Sequence, residues 1–331
     1  MRARSPVLAS ARISRSLATT RALVALQIAA ILIVLYVALT IASRPWNNDA
    51  AGIYQAVHGD LYAVPWLDHG AYSYSPVFAQ AIKPLTALPW EAFWAGWVGL
   101  QVAILLVVAR PIPAALLLVL PWFPFAGHPN PVHGTIANGN PQLFMAGAIV
   151  LAYRYPVAWA MPLLMKVTPG IGLVWYASRR EWRSLAIAIG ATLAIAAISV
   201  AFTPDLWAQW FGVLRQAMGA DARAVEIIYV PLFVRMPVAA ALILWGAKND
   251  RYWTVPIGAM LALPAIAYGG FALAVAAIPF LRPSAIRPFD LVVDRARRPT
   301  SVTLASSAIP ANHPELGVEG DHRVEAGVDH K

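Results

Sequence analysis

The 331-residue sequence contains no cysteine and few charged residues. The lack of cysteine excludes disulfide bonds, thiolate catalysis and cysteine-ligated metal sites. Only 12% of the residues are charged, whereas 59% are hydrophobic and the mean hydropathy is +0.61. Because an average soluble domain is far less apolar, the composition predicts an all-α membrane protein, a polytopic bundle of transmembrane helices.

Acidic residues and nucleotide-binding motifs are missing from the apolar segments. No Asp or Glu lies near the middle of an apolar run between residues 22 and 281. This argues against a proton-coupled transporter, since such proteins usually keep a carboxylate within the membrane. The sequence also lacks a Walker loop, a dinucleotide fingerprint and a serine nucleophile elbow. We therefore expect no cofactor.

Arginine is concentrated at the N-terminus, where MRARSPVLASARISRSLATTR carries no acid and precedes the apolar segment 22–42. That segment is longer than the roughly 7–15 apolar residues of a signal peptide. We predict an uncleaved first span, with residues 1–21 in the cytoplasm. The net charge of +9 reflects arginines at the ends of apolar segments. It indicates membrane orientation rather than a nucleic-acid partner.

Apolar segments recur along the chain and predict about nine to eleven spans within one domain, residues 22–282. With about ten crossings, SRREWR, KNDR and the arginines from Arg282 onward share the side of the N-terminus, as the charge rule requires. Segments 74–89 and 112–126 contain prolines and stay open to a re-entrant interpretation. The predicted spans are 22–43, 74–89, 91–109, 112–126, 141–154, 156–177, 183–203, 232–247, 252–267 and 268–281.

Two longer loops and a tail lie outside these spans. Loop 44–72 contains DAAGIYQAVHGDLYAV, whose spacing predicts an amphipathic helix in the membrane interface, on the outer side. Loop 203–235 carries Trp207 and Trp210, which are typical of an interface-bound segment. Residues 283–331 are polar and mixed in charge, and we predict a disordered cytoplasmic tail.

Two lysines fall inside predicted spans. Lys166, in MPLLMKVTPG, lies near mid-span, and Lys83 lies in AQAIKPL. A charged lysine near the bilayer centre costs about 2.5–3.5 kcal/mol. Each lysine therefore faces a cavity or an anionic partner, or extends its stem toward the interface. Pro169 and Gly170 follow Lys166 and predict an unwound helix whose backbone groups face a cavity.

The first loop gathers Asp49, Asp60 and Asp68 directly after the first span. Asp49 stands within a few residues of the predicted outer end of that helix, where the head group of a membrane lipid would lie. Asp60 and Asp68 are expected in turns, because aspartate readily caps local backbone groups.

A second polar segment, residues 127–143, lies between apolar spans. Two histidines without a nearby carboxylate are too few for a zinc site, so we predict no metal. The amides suit loop backbone and sugar hydroxyls. The polar side chains of interest are His128, His133, Asn138, Asn140 and Gln142.

The order of these features resembles the polytopic glycosyltransferases of family 87, relatives of polyprenyl-phosphate-mannose-dependent mannosyltransferases with the GT-C fold. The resemblance covers about residues 40–282. It rests on Asp49, on DAAGIYQAVHGDLY with Tyr54, Gly59 and Tyr62, and on YSYSP, NGNPQL and LLMKVTPGIGLVWYASRREWRSL. The chain departs from the family with Tyr-Ser-Pro at 74–76 in place of Tyr-Pro-Pro, and with Gly-Asn-Pro-Gln at 139–142 in place of Gly-Gln-x-Asn.

The resemblance implies an inverting hexosyltransferase, mannosyltransferase-like, in the plasma membrane of a bacterium. It would use a polyprenyl-phosphate sugar donor, a lipid or glycan acceptor on the outer face, and surrounding membrane lipids. Asp49 would be the catalytic base. The residues alone leave a transporter or lipid-handling protein with a central Lys166 anion site as an alternative. The substrate-binding residues implied are Lys166, Tyr54, Tyr74, Asn138, Asn140 and Gln142.

Overall fold

A computed structural model describes residues 6–44, 49–65, 68, 70–121, 130–219 and 230–281. Helices make up most of these residues, and none of them forms a strand. Together with the apolar composition, this gives an all-α membrane protein. The α-helices are α1 (Pro6–Ala42), α2 (Asp49–His58), α3 (Pro76–Thr86), α4 (Trp90–Ala109), α5 (Pro111–Val119), α6 (Pro131–Ala137), α7 (Gln142–Ala152), α8 (Ala160–Met165), α9 (Val174–Ser178), α10 (Trp182–Phe202), α11 (Pro204–Gly219), α12 (Leu232–Lys248) and α13 (Thr254–Leu261). Further 3-10 helices span Pro156–Trp159, Thr168–Leu173 and Tyr268–Leu281.

Among the described residues, three helical segments are long and apolar enough to cross a membrane: Thr19–Ala42 of α1, α4 and α10. They coincide with the predicted spans 22–43, 91–109 and 183–203. Most of the side chains of α1 from Thr19 onward and of α10 face outward, with Leu32 60% and Phe202 80% exposed. Lipid tails would cover these surfaces without competition from water.

The predicted span 232–247 is matched by α12, which runs through Pro237. Two proline-containing spans hold shorter helices, because proline interrupts the backbone ladder. Segment 74–89 holds only the 11 residues of α3, with Pro84 inside it. Segment 112–126 holds the nine-residue α5, which begins at Pro111 and carries Pro113 in its first turn. Helices of this length do not cross a hydrocarbon core alone, which needs about 20 helical residues. The number of crossings therefore stays a prediction.

The core is centred on α7, which packs against α4 and against the 3-10 helix Tyr268–Leu281. Leu143, Met145 and Ile149 of α7 are completely buried, and Leu105 of α4 lies in the same cluster. α1 packs against α4 and α5. These contacts place the polar segment between α6 and α7 against α4 and close to the start of α2.

The first loop forms the predicted amphipathic helix, α2, but its apolar face packs on protein rather than in the membrane interface. Ala50 is fully buried and Ile53 is 3% exposed, and both belong to the main core. A Cβ at Gly52 would lie 2.7 Å from the Cα of Gly70, so only glycine permits this close approach. α2 is thus docked on the bundle, which fixes its first residue, Asp49.

The tryptophans of the second loop are also buried in the protein, and the position of this segment relative to the membrane interface stays a prediction. Trp207 and Trp210 of α11 are 8% and 4% exposed and pack against Ala160 and Leu164 of α8. The indole of Trp207 donates a hydrogen bond to Ser199 Oγ at 3.0 Å. The indole of Trp207 therefore has both apolar contacts and a hydrogen-bond partner within the protein.

The predicted cytoplasmic tail, residues 283–331, lies outside the described residues, so its disorder stays a prediction. α1 begins at Pro6, so residues 6–21 of the basic N-terminal segment and the first span form one continuous helix.

A buried arginine holds the non-helical turn between α13 and the 3-10 helix Tyr268–Leu281. The guanidinium of Arg235, on α12, is 4% exposed and donates to the carbonyls of Leu261 at 2.9 Å and Leu263 at 2.7 Å. It also donates to the carbonyls of Val230 at 2.6 Å and Pro264 at 3.1 Å. The planar fork of donors suits several convergent carbonyls, which helical bonding leaves without partners here.

Candidate active site

Asp49 is the first residue of α2, where a carboxylate is favoured by the positive end of the helix dipole. The next residue, Ala50, donates its backbone N–H to the carbonyl of Asn138 at 3.2 Å. This bond ties the start of α2 to the polar segment between α6 and α7. Asp49 is therefore held at the surface of the bundle rather than in a free loop.

The carboxylate of Asp49 accepts a hydrogen bond at Oδ2 from the side-chain amide of Asn140, at 2.8 Å. Asn140 is itself held through its backbone, because its N–H donates to Thr135 O at 2.9 Å. Its carbonyl accepts from the amide of Gln101 at 3.0 Å when that amide is oriented to satisfy both of its neighbours. A rigid support thus fixes one oxygen of Asp49.

Gly139 adopts a conformation that places Asn140 against α2. Its φ of +67° lies in the left-handed region, which favours glycine. A Cβ at this position would collide with the Cβ of Ala50 and lie 3.0 Å from the ring of Trp94. The carbonyl of Gly139 accepts a hydrogen bond from Trp97 Nε1 at 2.8 Å. Glycine is therefore required both by the backbone and by the contact with α2.

Lys166 lies at a break in the predicted span 156–177, as Pro169 and Gly170 predicted. α8 ends at Met165, Lys166 is extended with φ −146° and ψ 116°, and a 3-10 helix begins at Thr168. The Nζ atom lies 5.9 Å from the centroid of the Tyr74 ring. This geometry gives a cation held over an aromatic face, next to unwound backbone.

Asp49 and Lys166 interact electrostatically, and Asp49 also acts on the hydroxyl of Tyr74. Within the described part of the chain, the carboxylate and the ammonium do not form a direct ion pair. Lys166 is partly buried, so its charge is incompletely solvated. Neither charge is therefore neutralised by direct contact with the other.

Tyr74 is 6% exposed and forms the aromatic wall of this region. Its carbonyl accepts a hydrogen bond from the hydroxyl of Tyr62 at 2.9 Å, and its ring meets that of Tyr72 edge to face. Burial raises the pKa of Tyr62, so its hydroxyl stays protonated and acts as a donor. These contacts fix the ring beneath Lys166.

Gln142 and Asn140 each present a buried oxygen that lacks a partner among the described residues. Gln142 is the first residue of α7 and is 3% exposed, and its unpaired atom is Oε1. The corresponding atom of Asn140 is Oδ1. Because a buried polar atom without a hydrogen bond costs free energy, such atoms indicate a place for water or a polar ligand.

Other predicted residues lie in different surroundings. Asn138 has an exposed side chain and contributes its backbone carbonyl to α2. Tyr54 donates its hydroxyl to Leu88 O at 3.0 Å and packs against Trp90 and Phe93, which anchors α2 to α4. Lys83 is exposed near the end of α3. The structure does not bring the Lys83 side chain into contact with Asp49 or Lys166 in the described residues.

The remaining acids and histidines of the candidate set have local roles. Asp60 accepts a hydrogen bond from the N–H of Tyr62 at 3.2 Å, and the backbone of Asp68 lies in a turn, as predicted. Burial lowers the pKa of His133, whereas His128 lies outside the described residues. The described residues contain no group of three His, Asp or Glu side chains that could hold a metal ion.

Sequence reasoning missed Gln101 and Trp97, which support Asn140 and Gly139. Gln101 is completely buried in α4. It is the only amide side chain in that apolar 20-residue helix, and a polar side chain in such a helix is a signal for a buried partner.

An apolar groove of about 650 Å³ lies beside the site. α3, α4, α7, α8 and α10 contribute to its walls. It reaches Met165, the residue before Lys166, and Phe78, whose ring contacts that of Tyr74. Its lining is almost wholly apolar and includes Val77, Ile82, Leu85, Met161, Leu164 and Ile195.

Comparison with known protein families identifies a glycosyltransferase family. The model of glycosyltransferase family 87 matches residues 72–293, about two thirds of the chain. No curated protein and no solved structure matches the chain. Tyr74, Asn140 and Lys166 lie within the matched range, whereas Asp49 precedes it. The case for Asp49 as a functional residue therefore depends on its geometry and not on the family match.

Proposed function

Because the chain belongs to glycosyltransferase family 87, we propose that it transfers a hexose, specifically mannose, from a polyprenyl-phosphate donor to a lipid or glycan acceptor. The protein is a membrane glycosyltransferase; the sugar, the lipid donor and the acceptor belong to the proposal. One arrangement carries it: the Asp49 carboxylate is fixed by Asn140, while the Lys166 ammonium lies over the Tyr74 ring and forms no direct ion pair with that carboxylate. A base and a cation so arranged suit transfer from a phosphate-activated sugar.

In this mechanism Asp49 is the general base. Asn140 occupies Oδ2, so Oδ1 accepts the proton of the acceptor hydroxyl. The hydroxyl oxygen forms a bond to the anomeric carbon while the bond from that carbon to the phosphate oxygen breaks. The electron pair of the broken bond stays on the phosphate, and the single displacement inverts the anomeric configuration.

Lys166 stabilises the lipid phosphate as negative charge develops on its leaving oxygen, an effect that usually dominates transition-state stabilisation. The ring of Tyr74 holds the ammonium in position. The unpaired oxygens of Gln142 and Asn140 accept hydrogen bonds from sugar hydroxyls, and Asn138 stands at the exposed rim. Tyr54 acts through α2, since its hydroxyl is engaged by Leu88.

The apolar groove supports a lipid-linked donor. A chain that leaves bulk lipid for this groove is already out of water, so its binding depends on close packing against the apolar walls. The groove reaches Met165, so an isoprenoid chain within it could bring its phosphate beside Lys166. No nucleotide is required, because the donor already carries its activating phosphate.

The proposed location is the outer face of the plasma membrane, the inner membrane of a bacterium. Asp49 follows the end of α1, Ala42, by only seven positions. If the basic N-terminus lies in the cytoplasm, as the positive-inside rule predicts, α1 delivers Asp49 to the outer surface.

The test is transfer of labelled mannose from polyprenyl-phosphate-mannose, in membranes containing the full-length protein and supplied with lipid extracts as acceptors. The wild type and Asp68→Asn should form product, because Asp68 is exposed and serves a turn. Asp49→Asn should lose about 10²- to 10⁴-fold in rate with unchanged membrane insertion. Full activity in Asp49→Asn would remove it as the base.

The transporter alternative predicts solute transport in place of sugar transfer. Solute flux into proteoliposomes, abolished by Lys166→Ala and accompanied by no covalent product, would favour it. Family membership favours the transferase.

A further inference from the structure

A small polar pocket lies along α2, outside the residues assigned above. Its volume is about 220 Å³. Gln55 and Asp60 contribute polar atoms to its wall, and Tyr72 closes one side. Gly52 and Gly70 also line the pocket, at the point where α2 approaches the backbone of Gly70 most closely. The pocket therefore depends on the lack of side chains at both glycines.

The pocket adjoins the proposed base. Gly52 and Ala56 follow Asp49 by three and seven positions, which places all three on one face of α2. With a rise of about 1.5 Å per residue, Gly52 lies roughly 4.5 Å along the helix axis from Asp49. On its other side, the ring of Tyr72 contacts that of Tyr74 at 5.5 Å, and Tyr74 lies beneath Lys166.

Available hydrogen-bonding groups face this pocket. One oxygen of Asp60 accepts from Tyr62 N–H at 3.2 Å. The second oxygen and the amide of Gln55 make no hydrogen bond with the described residues. A carboxylate beside an amide offers acceptors and donors together, which suits adjacent hydroxyl groups.

Other ligand classes fit less well. The carboxylate of Asp60 repels phosphates and carboxylates, while one carboxylate falls short of the six to eight oxygen ligands that calcium takes. The volume of the pocket equals the volume that about seven molecules occupy in liquid water. It lies below the roughly 300–1,000 Å³ of sites for drug-sized ligands, so a single small polar ring fits and a longer chain does not.

We propose that this pocket binds one neutral hexose ring of the acceptor, which makes the acceptor a glycan or glycolipid. The ring bound at Gln55 and Asp60 holds the attacking hydroxyl toward Asp49. This inference rests on the proposed function for the role of Asp49, but binding in the pocket itself requires no donor.

The experiment is a titration of the full-length protein in lipid nanodiscs with methyl α-mannoside and methyl α-glucoside, followed by saturation-transfer NMR and without donor. The wild type should bind at least one of them, and Gln55→Ala combined with Asp60→Asn should weaken binding about tenfold. Asp60→Asn keeps the oxygen that accepts from Tyr62, so the turn is preserved. Asp68→Asn, in the same loop but outside the pocket, should bind like the wild type.

A charged sugar tests whether the substitutions change binding in the pocket rather than the folding of the protein. Methyl α-glucuronide should bind the wild type more weakly than methyl α-glucoside, and Asp60→Asn should narrow that difference. Failure of both neutral sugars to bind the wild type, or unchanged binding in the pocket variant, would overturn the proposal even if transfer is observed. Pocket-dependent binding without any transfer would instead contradict the proposed function alone.

Discussion

The side-chain amide of Asn140 donates a hydrogen bond to the carboxylate of Asp49 at 2.8 Å, across 91 positions of sequence. The backbone of Asn140 is held by Thr135, Gln101 and the left-handed Gly139. An amide on such a support restricts the rotation of the carboxylate and leaves Oδ1 for chemistry. The contact joins the first loop to the core of the bundle.

Replacing Asn140 should impair the chemical step more than substrate binding. Asn140→Ala should lower kcat about tenfold to a hundredfold, because the carboxylate loses its orientation. It should raise KM by no more than about tenfold, because one hydrogen bond to a sugar hydroxyl is lost as well. Asn140→Asp replaces the donating amide with a second negative charge beside Asp49, so its rate should fall at least as far. Steady-state kinetics of both variants would test these expectations. An unchanged kcat in Asn140→Ala would contradict the positioning role.

Removing the cation at Lys166 should weaken both donor binding and the chemical step. Lys166→Met keeps the apolar stem and removes the charge, and we expect a loss of about 10²-fold or more in kcat/KM for the lipid donor. Lys166→Arg should retain part of the activity. Lys83→Met is the matched control, because Lys83 is exposed near the end of α3. Equal losses in the Lys83 and Lys166 variants would show a general effect of charge.

Gly139→Ala should disturb the site through the backbone. The left-handed conformation costs an L-residue roughly 1–2 kcal/mol, and the new Cβ collides with Ala50. We expect a lower unfolding temperature and loss of transfer, since α2 and Asp49 are pushed away. Gly99→Ala is the comparison, because a Cβ there would meet no described atom within 4 Å. Thermal unfolding and transfer rate of both variants, measured in the same lipid, give the test.

Arg235→Lys should destabilise the protein without touching the site. The lysine ammonium cannot reproduce the fork of donors, so several carbonyls of the turn after α13 lose their partners. We expect a loss on the order of 3 kcal/mol in the free energy of unfolding. Arg215→Lys on the exposed surface of α11 should leave it unchanged. An unaltered unfolding temperature in Arg235→Lys would show that water replaces the guanidinium.

Much of the bundle follows from local sequence. The spans that became α1, α4 and α10 were predicted from uninterrupted apolar runs, and the break at Lys166 from Pro169 and Gly170. Hydropathy also matched α12 and the 3-10 helix Tyr268–Leu281 to within one residue. It made other segments too long because it averages over prolines, which end helices such as α3 and α5 early. The hydrophobic pattern of a segment indicates that it forms a helix, but it does not determine the residues at which that helix begins and ends.

The site was only partly predictable. Asp49, Asn140 and Lys166 were identified as candidates, yet the sequence assigned Asn140 to substrate and gave no sign of its bond to Asp49. That contact depends on how α2 docks on the α6–α7 connection, a long-range relationship that no local period encodes. The docking also turns the apolar face of α2 toward the protein core, whereas the spacing of its apolar residues had indicated contact with the membrane surface.

The long sequence separation between α2 and its support has a consequence for biosynthesis. At about 5–20 residues per second, the ribosome makes Asp49 roughly 5–20 seconds before Asn140. During that interval α2 lacks the carbonyl of Asn138 and the Gly139 backbone against which it finally rests. We expect the nascent helix to lie on the bilayer surface through its apolar face, the position that its spacing predicts, until the α6–α7 connection arrives and captures it.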